Sequence, residues 1–186
     1  MERPGSRNGP EHFSSYYLVS PFKFGIDAKL AAQLDGKAVS LKGTLIYRDD
    51  QTMIEVAEGS LKTDATRGPA AVTNAILASV SLGEQTLRGE IVDSKCFLGV
   101  MNPGQLLPHR ACAIRCISGG IPLVLLVRQS DGTAHYLLLV SRAGLPVNRE
   151  VLNLVAEPVQ ITGEVIRQGG LLVLRADPVN YRRVVN

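Results

Sequence analysis

The sequence predicts a mainly β protein made of tandem OB-like small β-barrels, the first one incomplete, each with a short helix before its last hairpin. Three observations lead there. Apolar runs of strand length alternate with Gly, Asp and Pro turn signals along most of the chain. From residue 85 the elements follow the order strand, cysteine-bearing insertion, strand, strand, helix, strand, strand, which is that of a five-stranded Greek-key barrel. The two halves also resemble each other: VSLKGTLIYRDDQTMIEV, starting at Val39, matches VQITGEVIRQGGLLVLRA, starting at Val159, with Gly43 on Gly163. Tyr16–Ser20 likewise matches Tyr136–Ser141, and the first half supplies only the last three elements of the barrel order.

Taken in order, residues 1–14 hold Pro, Gly, Ser and charge, too little apolar surface to order themselves, and read as a flexible tail. A partial OB-like module spans residues 15–60. It opens with a strand at Tyr16–Ser20, broken by Pro21. A helix follows over Asp27–Leu34, with Asp27 as N-cap and Gly36 as the stop. Ala38–Tyr47 reads as a long strand bent at Gly43, and Thr52–Val56 as its return. Residues 61–84 form a linker, in which Pro69–Val80 fits either a short amphipathic helix or loop.

The second module spans residues 85–186. Gln85–Val92 is its first strand, and Ile121–Val127 and His135–Val140 form a hairpin through Asp131-Gly132. Asn148–Val155 reads as a helix with Asn148 as N-cap. Val159–Ile166 and Leu171–Leu174 make the last hairpin. The runs IPLVLLV and HYLLLV are apolar without alternation, so both faces of these strands must be covered, by the first half or by another protein.

With 186 residues, 45% of them hydrophobic, the chain has enough apolar material for one large or two small domains. A net charge of +3 without a basic stripe gives no footprint for nucleic acid, and the second and third barrel strands carry one tyrosine on which a base could stack. No apolar run reaches the length of a membrane-spanning helix. As written, the chain reads as cytoplasmic. If Met1 is an internal start, a missing N-terminal anchor would place it at the periplasmic face of the membrane, and membrane contact otherwise comes only through partners.

Chemistry concentrates between Asp93 and Gly120, which holds all three cysteines as Cys96, Cys112 and Cys116, together with His109. The pattern C-x12-H-x2-C-x3-C offers a Cys3His set suited to zinc, and its thiolates also suit an iron-sulfur cluster. An odd cysteine count excludes an all-disulfide framework; the alternative to a metal is one bridge from Cys96 to a helix cysteine, or a thiol-redox site at Cys112 and Cys116. His109–Ser118 fits a short helix opened by Pro108 and closed by Gly119-Gly120. On a continuous helix His109 and Cys116 lie roughly 10 Å apart, at about 1.5 Å per residue, so four ligands on one metal require the helix to start after His109. Asp93 and Lys95 either orient the loop or form a plain surface ion pair. His135 reads as a hydrogen-bonded structural residue and His12 as solvated. No sequence fingerprint of a hydrolase, nucleotide or dinucleotide enzyme occurs.

The run GEIVDSKCFLGVMNPG…HRACAIRCISGGIP, followed by a strand hairpin and VQITGEV, resembles a group of uncharacterised bacterial proteins that share D-S-x-C and then H-x-x-C-x-x-x-C with a glycine pair. That resemblance implies an OB-like barrel, often exported or anchored by an N-terminal helix, and carries no activity with it. The expectation for function is a non-enzymatic accessory subunit of a bacterial membrane-associated redox or respiratory complex, with protein partners and a Cys/His site closed by metal or disulfide. A thiol-redox or electron-transfer protein and a nucleic-acid-binding barrel are the alternatives.

Overall fold

A computed structural model of the chain describes residues 15–49, 51–66 and 79–184. The helix-or-loop reading of Pro69–Val80 and the tail containing His12 therefore lie largely outside the described residues. The architecture is mainly β, with a closed five-stranded barrel and few helices.

The barrel is built from β6 (Ser79–Asp93), β7 (Leu123–Arg128), β8 (Ala134–Val140), β9 (Pro158–Gln168) and β10 (Leu171–Arg175). β6 pairs antiparallel with both β7 and β9, β7 with β8, and β9 with β10. A parallel pairing of β8 with β10 closes the ring. A last short strand, β11 (Tyr181–Arg183), extends along β9. β6 begins at Ser79, inside the stretch expected to be linker, because its backbone ladder with β9 runs out to Gln168 and holds an arm whose own side chains are exposed.

The first half contributes a smaller sheet from β1 (Tyr17–Val19), β3 (Gly43–Arg48) and β4 (Gln51–Val56), with β1 parallel and β3 antiparallel to β4. The short strands β2 (Val39–Ser40) and β5 (Lys62–Thr63) pair with each other. The expected bent strand is thus two strands, β2 and β3, separated just before Gly43. Helix α1 (Ala28–Leu34) forms as expected, and Asp27 caps it by accepting the Leu30 N–H at 2.9 Å. The corresponding helix of the second half does not form. Only a single 3-10 turn, Leu152–Leu154, is present, and Asn148 is not a cap: its amide donates to the Ile117 and Ile121 carbonyls at 2.9 Å each. Tying the end of the cysteine segment won over a local helix start.

Two hydrophobic cores result. One fills the barrel, with Ile91, Leu125, Leu139, Ile161 and Leu174 at its centre. The other lies between the barrel and the first half, where Tyr17, Val19 and Met53 pack on Val92, Phe97, Val124, Leu126 and Tyr136. β7 feeds both, with Leu123 and Leu125 facing the barrel core and Val124 and Leu126 the shared one. The unalternating apolar run of β7 is therefore covered on its second face by the first half of the same chain.

Candidate metal centre

The insertion between β6 and β7 consists of one π-helical turn, Cys96–Val100, a loop, and helix α2 (Leu106–Ser118). α2 starts before His109, with Pro108 in its first turn, where a missing N–H costs nothing. It ends at Gly119, whose N–H bonds back to Arg115 and Cys116 carbonyls. Along this unbroken helix His109, Cys112 and Cys116 line one face, as their spacing requires. The condition for a four-ligand centre, a helix starting after His109, is not met.

Instead, the donors fall into two overlapping triplets. Cys96, His109 and Cys112 have donor atoms within 4.8 Å of one another, and so do Asp93, Cys96 and Cys116. Cys96 is common to both: its sulfur lies 3.9 Å from the sulfurs of Cys112 and of Cys116. That spacing is close to the edge of a tetrahedron drawn around zinc with Zn–S bonds of about 2.3 Å. It is far longer than a disulfide bond of about 2.05 Å, and all three cysteines are free thiols.

Asp93 organises the centre. It is fully buried; one carboxylate oxygen accepts the Cys96 N–H at 2.8 Å and the other lies 3.0 Å from His109 Nε2. With Nε2 held by a carboxylate, the remaining ring nitrogen, Nδ1, is the one left for a metal, which is the carboxylate–histidine arrangement that orients metal ligands in general. Lys95 is also buried. It donates to the Ser20 and Phe22 carbonyls at 3.0 and 2.6 Å and pairs with Glu55. Asp93 and Lys95 are thus not a surface ion pair; each works inward, in a different direction. Ser94 completes the D-S-x-C run by donating to the Pro122 carbonyl at 2.7 Å.

One participant has no signal in the sequence. Lys23, from the loop after β1, places Nζ 2.8 Å from Cys112 Sγ and 3.7 Å from Cys116 Sγ. The hydrogen bond to Cys112 raises the Lys23 pKa, so the ammonium persists beside the sulfurs. Among the thiols, the contact with Cys116, together with burial, pushes Cys96 up, and the same contact holds Cys116 below the ordinary cysteine range. Only chain folding brings Lys23 to the sulfurs, since about ninety residues separate them. His135, by contrast, is exposed and lies 2.7 Å from the Gln129 amide nitrogen, away from this centre.

A cavity of about 600 Å³ opens beside the cluster. Cys96, Cys116 and Lys23 are among its lining residues, together with the apolar Phe22, Phe24, Val100, Met101 and Ile114. Comparison of the chain with protein-family models, with curated proteins and with solved structures finds no match.

Proposed function

We propose that this protein is a non-enzymatic accessory subunit of a bacterial membrane-associated redox or respiratory complex, built on an OB-like barrel whose insertion is locked by a metal ion. The metal reading is carried by one observation: Cys96, His109 and Cys112 converge within 4.8 Å, with Asp93 behind the histidine. Two thiolates and an imidazole suit zinc, which takes nitrogen and sulfur ligands and needs no redox chemistry to lock a loop. An iron-sulfur cluster would draw on Cys116 as well. The role in an assembly is supported by Phe22, Phe24, Val100 and Met101, all exposed and gathered beside the centre, a grouping more apolar than an unattached surface favours.

The OB-like reading draws on strand order. Counted within the barrel, the strands close as first, second, third, fifth, fourth, with the helical turn between the third and the fourth. The tandem reading draws on recurring detail. Ser20 N–H bonds the Phe24 carbonyl as Ser141 N–H bonds that of Leu145, and β1 is parallel to β4 as β8 is to β10. A Cβ at Gly43 would lie 2.4 Å from the Glu55 carbonyl oxygen, and one at Gly163 equally close to that of Arg175.

A second reading, thiol-disulfide exchange through Cys112 and Cys116, is favoured by the Lys23 ammonium resting on both sulfurs. Nucleic-acid binding loses support, because Val124, Leu126 and Tyr136, on the strands where an OB barrel stacks bases, are buried against the first half.

Metal analysis of protein purified without chelator separates these readings. One zinc per chain, lost in Cys96→Ser and in His109→Ala, is the expected result. Visible absorbance with iron and sulfide would assign a cluster instead. Metal-free wild-type protein that stays folded and reduces a disulfide substrate would replace the metal reading by the thiol one.

A further inference from the structure

Lys23 lies closer to Cys112 than Cys96 does. Its Nζ stands 2.8 Å from Cys112 Sγ, against 3.9 Å between the sulfurs of Cys96 and Cys112. A separation of 2.8 Å is usual between nitrogen and oxygen, and is short for the larger sulfur atom. The backbone around Lys23 enforces the approach. Buried Lys95 donates to the Phe22 carbonyl at 2.6 Å, and the Ser20 N–H bonds the Phe24 carbonyl at 2.9 Å. The Gly25 N–H bonds the Gly119 carbonyl at 2.9 Å, and the Lys23 carbonyl packs so tightly on Gly119 that a Cβ there would overlap it. A loop held at these points presents its amine to one sulfur, and such fixed proximity is what favours an intramolecular bond.

Exposure singles out the same sulfur. Cys96 and Cys116 are buried, whereas Cys112 is half-buried, so a diffusing oxidant meets Cys112 first. A sulfenic acid formed there can condense with a neighbouring thiol or nitrogen. A disulfide with Cys96 would have to draw the two sulfurs from 3.9 Å to about 2.05 Å, shifting the π-helical turn against α2. One oxygen atom set between Nζ and Sγ instead fills a gap that the fold already holds open.

We infer that Lys23 and Cys112 form an oxidation site, at which hydrogen peroxide joins Nζ to Sγ through a single bridging oxygen atom. The first peroxide oxidises the thiol: its O–O bond breaks, an S–O bond forms and one water leaves. The second oxidises the lysine nitrogen to the hydroxylamine level, with an N–O bond formed, one water released and the ammonium proton passed to solvent. Condensation of the two hydroxyl groups then releases a third water and leaves the N–O–S bridge. Both peroxides are reduced, the sulfur and the nitrogen each give up an electron pair, and one of the four peroxide oxygens is retained. The bridge stands on the Lys23–Cys112 geometry and not on the metal reading. Only its consequence, that a bridged Cys112 no longer serves an ion, rests on that reading.

The test titrates the full-length protein, as purified, with hydrogen peroxide, digests it without reductant and identifies cross-linked peptides by mass spectrometry. The expected product joins Lys23 to Cys112, weighs one oxygen more and two hydrogens less than the separate peptides, and is returned to them by dithiothreitol. Lys23→Arg keeps a cation beside the sulfur and should lose the product entirely. Cys96→Ser removes the competing thiol and should retain it. A Cys96–Cys112 disulfide as the main product, a Lys23–Cys112 pair lacking the oxygen, or Cys112 oxidised to sulfinic acid with Lys23 unmodified overturns the inference. Zinc is measured in the same titration, and its release in proportion to the bridge is expected. Full bridging with zinc retained would remove Cys112 from the metal centre while leaving the oxidation site standing.

Discussion

Asp93 shows how one buried side chain can set the geometry of a donor cluster to which it belongs. Its two oxygens fix the Cys96 backbone and the His109 ring, so Asp93→Asn should leave the barrel folded yet weaken zinc binding by about 10- to 100-fold, the usual cost of losing such a partner. Competition with a chromogenic chelator measures this, and unchanged affinity would remove Asp93 from the centre. Glu90, three residues before Asp93 on β6, carries a separate cost. Burial lifts its carboxyl above the ordinary range, against the hydrogen bond from Leu106 N–H that lowers it. An acid raised in the folded state loses stability as the pH climbs through the ordinary carboxylate range, because the unfolded chain ionises first, and the loss is complete above the folded value. Glu90→Gln should therefore match wild type in urea titrations at about pH 3 and exceed it at about pH 7. Equal midpoints at both would sink this account. At this scale the three cysteines and His109 could be named from spacing, but Lys23 could not, since PFKFG carries no mark of where it folds.

The insertion works as an element because several polar contacts pin it to the first half. Lys95 reaches the Ser20 and Phe22 carbonyls, Lys23 reaches the sulfurs, and the Gly25 N–H bonds the Gly119 carbonyl at 2.9 Å. Gly25 permits the last: a Cβ there would sit 2.1 Å from the Gly120 carbonyl oxygen, with backbone on both sides and no side chain to yield. Gly25→Ala should destabilise the protein by about 3 kcal/mol, at the upper end of overpacking costs, as read from urea midpoints. A variant as stable as wild type would show that the close approach is not maintained in solution. The same element explains where local reading failed. Asn148 has the chemistry of an N-cap, yet its amide donates to the carbonyls of two buried residues, Ile117 in the last turn of α2 and Ile121 just beyond it, and two such hydrogen bonds outweigh what one short helix gains. Asp27, with no such competitor among the described residues, caps α1 as its sequence suggests.

Across the whole molecule, the shared core makes the two halves interdependent. Met53 is fully buried and belongs to the same cluster as Val92, Phe97 and Leu126, while Arg48 stacks on Phe97 and Asp49 accepts the Tyr136 hydroxyl proton at 2.8 Å. Met53→Ala should cost about 2–5 kcal/mol and lower one common unfolding transition. Far-ultraviolet dichroism and tyrosine fluorescence would be followed together. Two transitions, with the barrel unaffected, would mean that the halves fold separately. The apolar runs of β7 and β8, the turn at Asp131-Gly132 and the convergence of cysteines on one helix face were all determined by the sequence itself, because each depends on neighbours a few residues apart. The tertiary structure alone decided what covers β7, that Asp93 and Lys95 point inward to different partners, and that Asp93 joins the four expected donors in two triplets sharing Cys96. Those outcomes depend on contacts between residues far apart in the chain, where loop closure and packing, not local preference, select the partner.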